Sequence, residues 1–265
     1  MSAAVGSSSR TVAVTGGGAG IGRAVAMQCA ARGDRVAVLD IDGPAARDAA
    51  VAALAAGAGA ALAVECDVSR EESVARAFEE AVASLGPLYG AFANAGLDAG
   101  GFLHELPFET WKRVLDTNLT GIYLTCKYAL QRILQAGTPG SIVCTSSPAA
   151  SVAFAAGAAG AYSASKGGIS ALVRCMAVDY AKYGIRVNAV VPGATETRLM
   201  WANVDPPARP GMRRRICEEV PLGRLASPDE PARAVVWLLS DESSYVTGSH
   251  LVCDGGILAK ASISV

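Results

Sequence analysis

Short apolar runs alternate with longer stretches of helical pattern along almost the whole chain. The runs that predict β-strands cover residues 11–15, 35–40, 60–65, 88–93, 141–145, 186–191 and 250–253. The stretches between them predict helices, including one uninterrupted helix over 108–135 and another that Ser69 and Glu72 would open as a capping box. Strands that alternate with helices form parallel sheets, and strands that are apolar almost throughout are covered on both faces. The sequence therefore predicts an α/β fold with helices on both faces of a parallel sheet.

The composition limits the functions open to this chain. Its 265 residues are 51% hydrophobic and 18% charged, which excludes a disordered protein and suits one large domain over residues 1–265. The formal net charge of −1 gives no global field for a polyanion, so we expect no nucleic-acid partner. No apolar stretch reaches the roughly 18 residues that a membrane span needs, so we expect no membrane partner. The low polarity favours a homo-oligomer.

The cysteine and histidine patterns predict no metal site. The seven cysteines are widely spaced without a Cys-x-x-Cys pair, and the two histidines are His104 and His250. No group has the spacing of zinc ligands. Reduced thiols buried as small apolar residues are typical of cytoplasmic proteins, and we predict that location.

A glycine-rich turn follows the first predicted strand. Gly16, Gly20 and Gly22 stand in the pattern Gly-x-x-x-Gly-x-Gly just before a predicted helix. Such a turn lets backbone N–H groups and a helix N-terminus approach a phosphate with no Cβ in between. The alternative is a tight strand–helix turn that binds nothing. The strand before it and the helix after it favour a dinucleotide-binding site.

An acidic residue ends the second predicted strand, where it would meet that turn. Asp40 lies 18 residues beyond Gly22, and a carboxylate there accepts hydrogen bonds from ribose hydroxyls and repels a 2′-phosphate. Ile41 follows at a place where an arginine would bind that phosphate. The pattern predicts NAD rather than NADP as cofactor. The alternative is that Asp40 only caps a strand end.

A tyrosine and a lysine share one face of a later predicted helix. Tyr162 and Lys166 are four residues apart, which places them side by side. A nearby ammonium lowers the pKa of a phenol, and such a pair can move a proton to or from an alcohol oxygen. Taken alone, the pair is common on ordinary exposed helices.

Several short motifs follow one another between residues 11 and 256. They are Thr15-Gly16-x-x-x-Gly20-Ile21-Gly22, Asp67-Val68, Asn94-Ala95-Gly96, Asn118, Ser146-Ser147, Tyr162-x-x-x-Lys166, Pro192-Gly193, Val246-Thr247-Gly248 and Asp254-Gly255-Gly256. In this order they resemble the motifs of the short-chain dehydrogenase/reductase family. The resemblance implies a Rossmann-type doubly wound parallel sheet of about seven strands, and an assembly of two or four subunits.

The resemblance also implies a role for each matched residue. Tyr162 is the expected general acid/base, Lys166 would lower its pKa and bind the nicotinamide ribose, and both would touch the cofactor. Ser147 would orient the substrate oxygen, and Asn118 would hold a water that links Lys166 to solvent. The other expected cofactor contacts are Gly16, Gly20, Ile21, Gly22, Asp40, Ile41, Asp67, Val68, Asn94, Ala95, Gly96, Pro192, Gly193, Thr195 and Thr197.

Two segments leave alternatives open. The segment from Ser147 to Tyr162 is about two residues longer than the family usually shows. The catalytic serine is placed at Ser147 because it follows the strand as the second of a Ser-Ser pair, with Ser146 as the competitor and Ser151 as a third candidate. Residues 196–221 are the expected substrate lid. The run Arg213-Arg214-Arg215 within it is a solvated helix face or, alternatively, a clamp for an acidic substrate.

The sequence as a whole predicts an NAD-dependent dehydrogenase that acts on a secondary alcohol or the matching ketone. One alternative is a 3-oxoacyl-carrier-protein-type reductase, against which Asp40 counts because such enzymes usually take NADPH. The other is a non-catalytic dinucleotide-binding regulator, which would not need Asn118, Ser147, Tyr162 and Lys166 together.

Overall fold

Seven parallel strands form a single sheet at the centre of the molecule. The computed structural model describes residues 9–154 and 156–260. The strand order is β3-β2-β1-β4-β5-β6-β7. The strands are β1 (Thr11–Thr15), β2 (Arg35–Asp40), β3 (Ala60–Glu65), β4 (Leu88–Ala93), β5 (Gly140–Thr145), β6 (Ile185–Pro192) and β7 (His250–Cys253). The predicted parallel sheet is confirmed, whereas the domain bounds 1–265 stay a prediction because both ends lie outside the described residues.

Helices cover both faces of this sheet, as predicted. One face packs on α3 (Glu71–Leu85), α5 (Gly121–Ala136) and α6 (Gly160–Tyr180). The other packs on α1 (Gly20–Ala31), α2 (Gly43–Ala55) and α8 (Asp229–Leu239). Two further helices, α4 (Phe108–Leu115) and α7 (Arg209–Glu219), lie nearer the ligand edge.

Alternate residues of each strand enter the two cores. In β1, Ala13 belongs to the core under α3, α5 and α6, whereas Val12 and Val14 belong to the core under α1, α2 and α8. Because an apolar core covers each face of the strand, all five residues of β1 are buried. This is why the strands read as continuous apolar runs rather than as alternating patterns.

One local prediction is refined and another is wrong. The segment 108–135 is helical as expected, but a wider π-helical turn at Asp116–Thr120 lies within it and separates α4 from α5. The capping box is absent, since α3 begins after Arg70 without a side-chain cap. Ser69 instead donates its hydroxyl to the Asp67 carboxylate at 2.7 Å, so it closes a turn before the helix.

The strand order reverses between β1 and β4, and this reversal opens a crevice. From β1 the chain builds outward through β2 and β3, then returns to the other side of β1 to place β4. Connections that leave neighbouring strands in opposite directions leave room for a ligand at the carboxyl ends of the strands.

In the part of the chain that the structure describes, no helix is long and apolar enough to cross a bilayer.

Candidate active site

A cavity of about 480 Å³ occupies the crevice at the carboxyl ends of the strands. Most of the residues predicted from sequence line it together, although they come from six separate segments. Those on its wall are Gly16, Gly20, Ile21, Asp40, Ile41, Asp67, Val68, Asn94, Ala95, Gly96, Tyr162, Lys166, Pro192, Gly193, Thr195 and Thr197. Three predicted residues, Gly22, Asn118 and Ser147, are not among the residues that line it, whereas Ser146, the alternative catalytic serine, is.

The glycine turn is shaped to let backbone approach a ligand. Gly16 and Gly20 have φ values of +64° and +53°, which favour glycine, and a Cβ on Gly20 would lie 3.3 Å from the Thr197 methyl carbon. A Cβ on Gly22 would lie 2.1 Å from the Gly16 carbonyl oxygen. Gly22 therefore serves the close packing of α1 on the turn. This cradle at the N-terminus of α1 fits the pyrophosphate of a dinucleotide.

The Asp40 carboxylate is fixed at the edge of this cradle. It accepts hydrogen bonds from the backbone N–H of Gly18 at 2.9 Å and of Asp42 at 3.0 Å. Ile41 beside it is exposed and brings no positive charge to the cavity wall. The carboxylate is therefore positioned before any ligand arrives.

Asn94 joins the ends of three strands. Its side-chain amide donates to the Thr15 carbonyl at 3.1 Å, and its side-chain oxygen accepts from the Thr145 hydroxyl at 3.1 Å. Its backbone N–H donates to the Thr15 hydroxyl at 3.0 Å. Asn94 lines the cavity, and it also holds β1, β4 and β5 in register at the crevice.

Tyr162 and Lys166 lie together at the inner end of the cavity. Lys166 Nζ lies 5.5 Å from the centre of the Tyr162 ring and donates to the Thr145 carbonyl at 2.8 Å. Burial lowers the pKa of Lys166 to about 8. Burial also raises the pKa of Tyr162 to about 12, contrary to the lowering expected from the neighbouring ammonium. The phenol is therefore protonated at neutral pH in this structure.

The two candidate serines face different partners. Ser146 Oγ shares a hydrogen bond with Ser170 Oγ at 2.9 Å and donates to the Lys166 carbonyl at 3.4 Å. Ser147 interacts with the Tyr162 phenol, and this interaction opposes the rise in the tyrosine pKa. Its Oγ also accepts from the Ala149 N–H at 3.2 Å. Ser147 is thus the serine whose side chain meets Tyr162.

Asn118 is fully buried in the π-helical turn between α4 and α5. Its side chain makes a reciprocal pair of hydrogen bonds with the backbone N–H and carbonyl of Leu97, both at 2.8 Å. Its amide also donates to Ser165 Oγ at 3.3 Å. Asn118 thereby fixes the loop after β4 against α6, at the residue that precedes Lys166.

Comparison with known proteins agrees with this arrangement. Residues 16–258 match the protein family described as enoyl-(acyl carrier protein) reductase. The chain is 42% identical to 2,5-dichloro-2,5-cyclohexadiene-1,4-diol dehydrogenase of Sphingobium indicum, over 95% of this chain and 98% of that protein. It is also 42% identical to cis-4-hydroxycyclohexanecarboxylate dehydrogenase of Sinomonas cyclohexanicum, over 94% and 97%. A short-chain type dehydrogenase/reductase from Mycobacterium marinum superposes with a TM-score of 0.89 at 32% identity, over 96% and 97%.

The chain belongs to the short-chain dehydrogenase/reductase family. It is an oxidoreductase that acts on secondary alcohol groups, and its cofactor is a nicotinamide dinucleotide. Among the described residues of this short-chain dehydrogenase/reductase, no group of three or more His, Cys, Asp and Glu side chains could hold a metal ion.

One carboxylate joins separate parts of the segment 196–221, the expected lid of this short-chain dehydrogenase/reductase. Glu196 accepts a hydrogen bond from the Trp201 indole at 2.7 Å and forms an ion pair with Arg213. Arg214 and Arg215 are exposed on α7, as the interpretation of this run as a solvated helix face predicted. Leu199 and Met200 line the cavity, whereas Trp201 is buried under the lid.

The loop before α6 in this dehydrogenase packs against the loop after β4. Gly101 donates its N–H to the Ala158 carbonyl at 2.8 Å, and a Cβ on Gly100 would lie 2.2 Å from that carbonyl oxygen. Ala158 has a φ of +60° and follows Gly157 at +67°. The longer loop therefore meets a glycine pair on the facing loop.

Sequence reasoning missed two charged residues on the cavity wall, Asp98 and Arg198. Asp98 lies two residues beyond Asn94-Ala95-Gly96 and faces the same cavity as Tyr162 and Lys166. A signal was present, because an acidic residue just after a strand end of a parallel sheet lies at the ligand edge.

Proposed function

We propose that this protein is an NAD-dependent dehydrogenase of secondary alcohols in which Tyr162 is the general acid/base. The observation that carries this proposal is the position of Tyr162, which lies beside Lys166 on the wall of the cavity that the glycine cradle also lines, with the Ser147 hydroxyl acting on its pKa. A phenol at that place would exchange a proton with the substrate oxygen while the hydride moves at the carbon. The dinucleotide supplies the hydride chemistry.

Each neighbouring residue then has a distinct task. Ser147 donates a hydrogen bond to the substrate oxygen and stabilises the charge that develops there. Lys166, fixed by the Thr145 carbonyl, presents its ammonium to the nicotinamide ribose and to the phenol. Asn118 is a positioning residue, since its side chain bonds to Leu97 and Ser165 rather than to the cavity. The water-relay role predicted for Asn118 stays a prediction.

The site favours NAD over NADP because of Asp40. The carboxylate is fixed by two backbone N–H groups at the edge of the cradle, where it would accept bonds from ribose hydroxyls and repel a 2′-phosphate. We expect titrations to give a dissociation constant for NADP⁺ at least about tenfold above that for NAD⁺. Asp40→Ala should narrow this ratio, whereas Asp48→Asn on the exposed face of α2 should leave it unchanged. Equal affinities in the wild type would refute the preference.

The activity is tested by the absorbance of NADH formed from NAD⁺ and a panel of secondary alcohols. The similar proteins described above act on a cyclohexadienediol and on a hydroxycyclohexanecarboxylate, so the panel should centre on cyclic secondary alcohols. Tyr162→Phe should lower kcat by about 10²- to 10⁴-fold while NAD⁺ still binds. Turnover that survives in Tyr162→Phe would exclude this tyrosine as the acid/base.

Two expectations about the protein's setting stay predictions. A dimer or tetramer and a cytoplasmic location follow from the family resemblance and the cysteine pattern. The cysteines within the described residues are all free, with Cys29, Cys66, Cys126 and Cys144 buried.

A further inference from the structure

An unpartnered carboxylate stands on the wall of the reaction cavity. Asp98 shares that wall with Tyr162 and Lys166. Among the hydrogen bonds formed by residues 9–154 and 156–260, none reaches its carboxylate, and only its backbone carbonyl is bound, by Asn203 Nδ2 at 2.7 Å. The mechanism above gives this charge no task.

The backbone that carries Asp98 is held from two sides. Leu97 before it is paired through both backbone groups with Asn118, and Asn203 reaches it from the lid. The backbone at Asp98 is therefore anchored on the wall of the cavity that Tyr162 also lines. Its position is therefore suited to recognition of a substrate group rather than to adaptation around it.

The surroundings of Asp98 demand a hydrogen-bond donor. Leu97, Leu199 and Met200 line the same cavity. Asp98 keeps an exposed surface, although partial burial raises the pKa of its carboxyl, and the Lys166 ammonium opposes that rise. A bound substrate that covers a carboxylate removes the water around it. If the substrate offers no hydrogen bond in return, the lost hydration is not replaced and binding is disfavoured. A hydroxyl on the substrate would supply that bond. A substrate carboxylate would be repelled, and a substrate ammonium would meet the Lys166 charge in the same cavity.

We propose that Asp98 selects substrates with a second hydroxyl group, so that the preferred substrate class is neutral diols in which one hydroxyl is oxidised at Tyr162 and the other donates to Asp98. This inference rests on the proposed function and narrows its substrate class. Asp98 takes no part in the bond changes, and only the hydroxyl carbon facing Tyr162 loses its hydride to NAD⁺ and its hydroxyl proton to the tyrosine.

The test uses alcohols that share one ring. Cyclohexanol, the 1,2-, 1,3- and 1,4-cyclohexanediols, 2-aminocyclohexanol and 4-hydroxycyclohexanecarboxylate are compared with wild type, Asp98→Ala and Asp98→Asn. We expect wild-type kcat/KM for the best diol to exceed that for cyclohexanol by about tenfold or more, as one hydrogen bond to a charged group provides. Asp98→Ala should abolish this ratio, mainly through KM, and any change in kcat that follows from the loss of its charge near Tyr162 should be shared by cyclohexanol and the diols. Asp98→Asn should keep part of the diol preference and improve turnover of 4-hydroxycyclohexanecarboxylate.

A control variant with the same change in charge separates an effect of Asp98 inside the cavity from an effect of the protein's overall charge. Asp205→Asn removes one negative charge from an exposed place on the lid that does not line the cavity, and it should leave every ratio unchanged. NAD⁺ affinity, measured by titration, shows that each variant is folded.

The outcomes separate this inference from the function on which it rests. If wild type oxidises diols and cyclohexanol equally well, or if the diol ratio persists in Asp98→Ala, the diol assignment is overturned while Tyr162-dependent oxidation of cyclohexanol still supports the dehydrogenase. A preference for the amino alcohol over every diol overturns it as well. If wild type oxidises no member of the set, the proposed function and the inference fail together.

Discussion

Burial favours the neutral form of both Tyr162 and Lys166. It raises the pKa of the phenol to about 12 and lowers the pKa of the ammonium to about 8. The groups that act on Tyr162 are Ser147, which lowers its pKa, and Asp98, which raises it. The protonated phenol is ready to donate to a ketone, whereas alcohol oxidation needs the phenolate. The two directions of the reaction should therefore respond differently to pH.

We expect kcat for alcohol oxidation to rise with pH between about 7 and 9. A raised pKa means that the phenolate fraction grows as protons are removed, by up to about tenfold per pH unit well below the pKa. Asp98→Asn removes a negative charge beside the phenol and should move the rise to lower pH. Initial rates at saturating cofactor and alcohol measure this, and a flat profile in wild type would contradict it.

Ser147 and Ser146 offer a matched pair of variants one residue apart. Ser147→Ala removes the hydroxyl that meets Tyr162 and should lower kcat by about 10²- to 10³-fold, with NAD⁺ affinity unchanged. Ser146→Ala breaks the bond to Ser170 and should cost about 1 kcal/mol of stability with kcat nearly unaffected. Steady-state kinetics and urea unfolding measure the two effects. The reverse result would move the catalytic role to Ser146.

Residue chemistry was predictable from sequence where a residue faces the cavity directly. Tyr162, Lys166 and Asp40 lie on the cavity wall as the pattern indicated. The rise in the Tyr162 pKa was not predictable, because spacing along a helix says nothing about how deeply the pair is buried. Asp98 was missed because its importance depends on which loops meet over it.

Among the elements, the glycine turn and α1 depend on each other. A Cβ on Gly22 would meet the Gly16 carbonyl and the Asn94 amide, at 2.1 Å and 2.8 Å. Gly22→Ala should therefore force α1 away from the turn, destabilise the protein by about 3 kcal/mol and weaken NAD⁺ binding.

A control for this substitution lies in α7. Gly211→Ala adds its methyl where nothing lies within 4 Å, and the better helix propensity of alanine should raise stability by up to about 1 kcal/mol. Urea midpoints and NAD⁺ titrations compare the two variants. A Gly22→Ala protein with wild-type stability and NAD⁺ affinity would show that the turn has more freedom than its geometry indicates.

Strands were easier to predict than helix interruptions. The two-sided burial of β1 follows from the two cores and makes the strand visible as an apolar run. The division between α4 and α5 leaves no such trace, since Asp116–Thr120 contains neither proline nor glycine. The hydrogen bonds from Asn118 to Leu97 and Ser165 accompany the wider turn, and they depend on contacts across the fold.

At the scale of the whole molecule, alternation of strands and helices predicted the layered architecture. A parallel sheet needs a crossover after each strand, and two-sided apolar strands need a helix layer on each face. The strand order β3-β2-β1-β4-β5-β6-β7 was available only through the family resemblance. Composition and spacing do not determine which strand lies next to β1, and the crevice depends on that neighbour.

The direction in which the apolar face of α5 points depends on the number of residues in the widened turn at Asp116–Thr120. A π-helical turn holds one residue more than the α-helical path, and each residue of an α-helix corresponds to about 100° of rotation and 1.5 Å of rise. The buried stripe of Ile122, Cys126, Ala129 and Ile133 faces the sheet only with that residue in place. Removal of a single residue here would therefore act on the entire 16-residue helix, because it would rotate α5 about its axis and turn its apolar stripe away from the core.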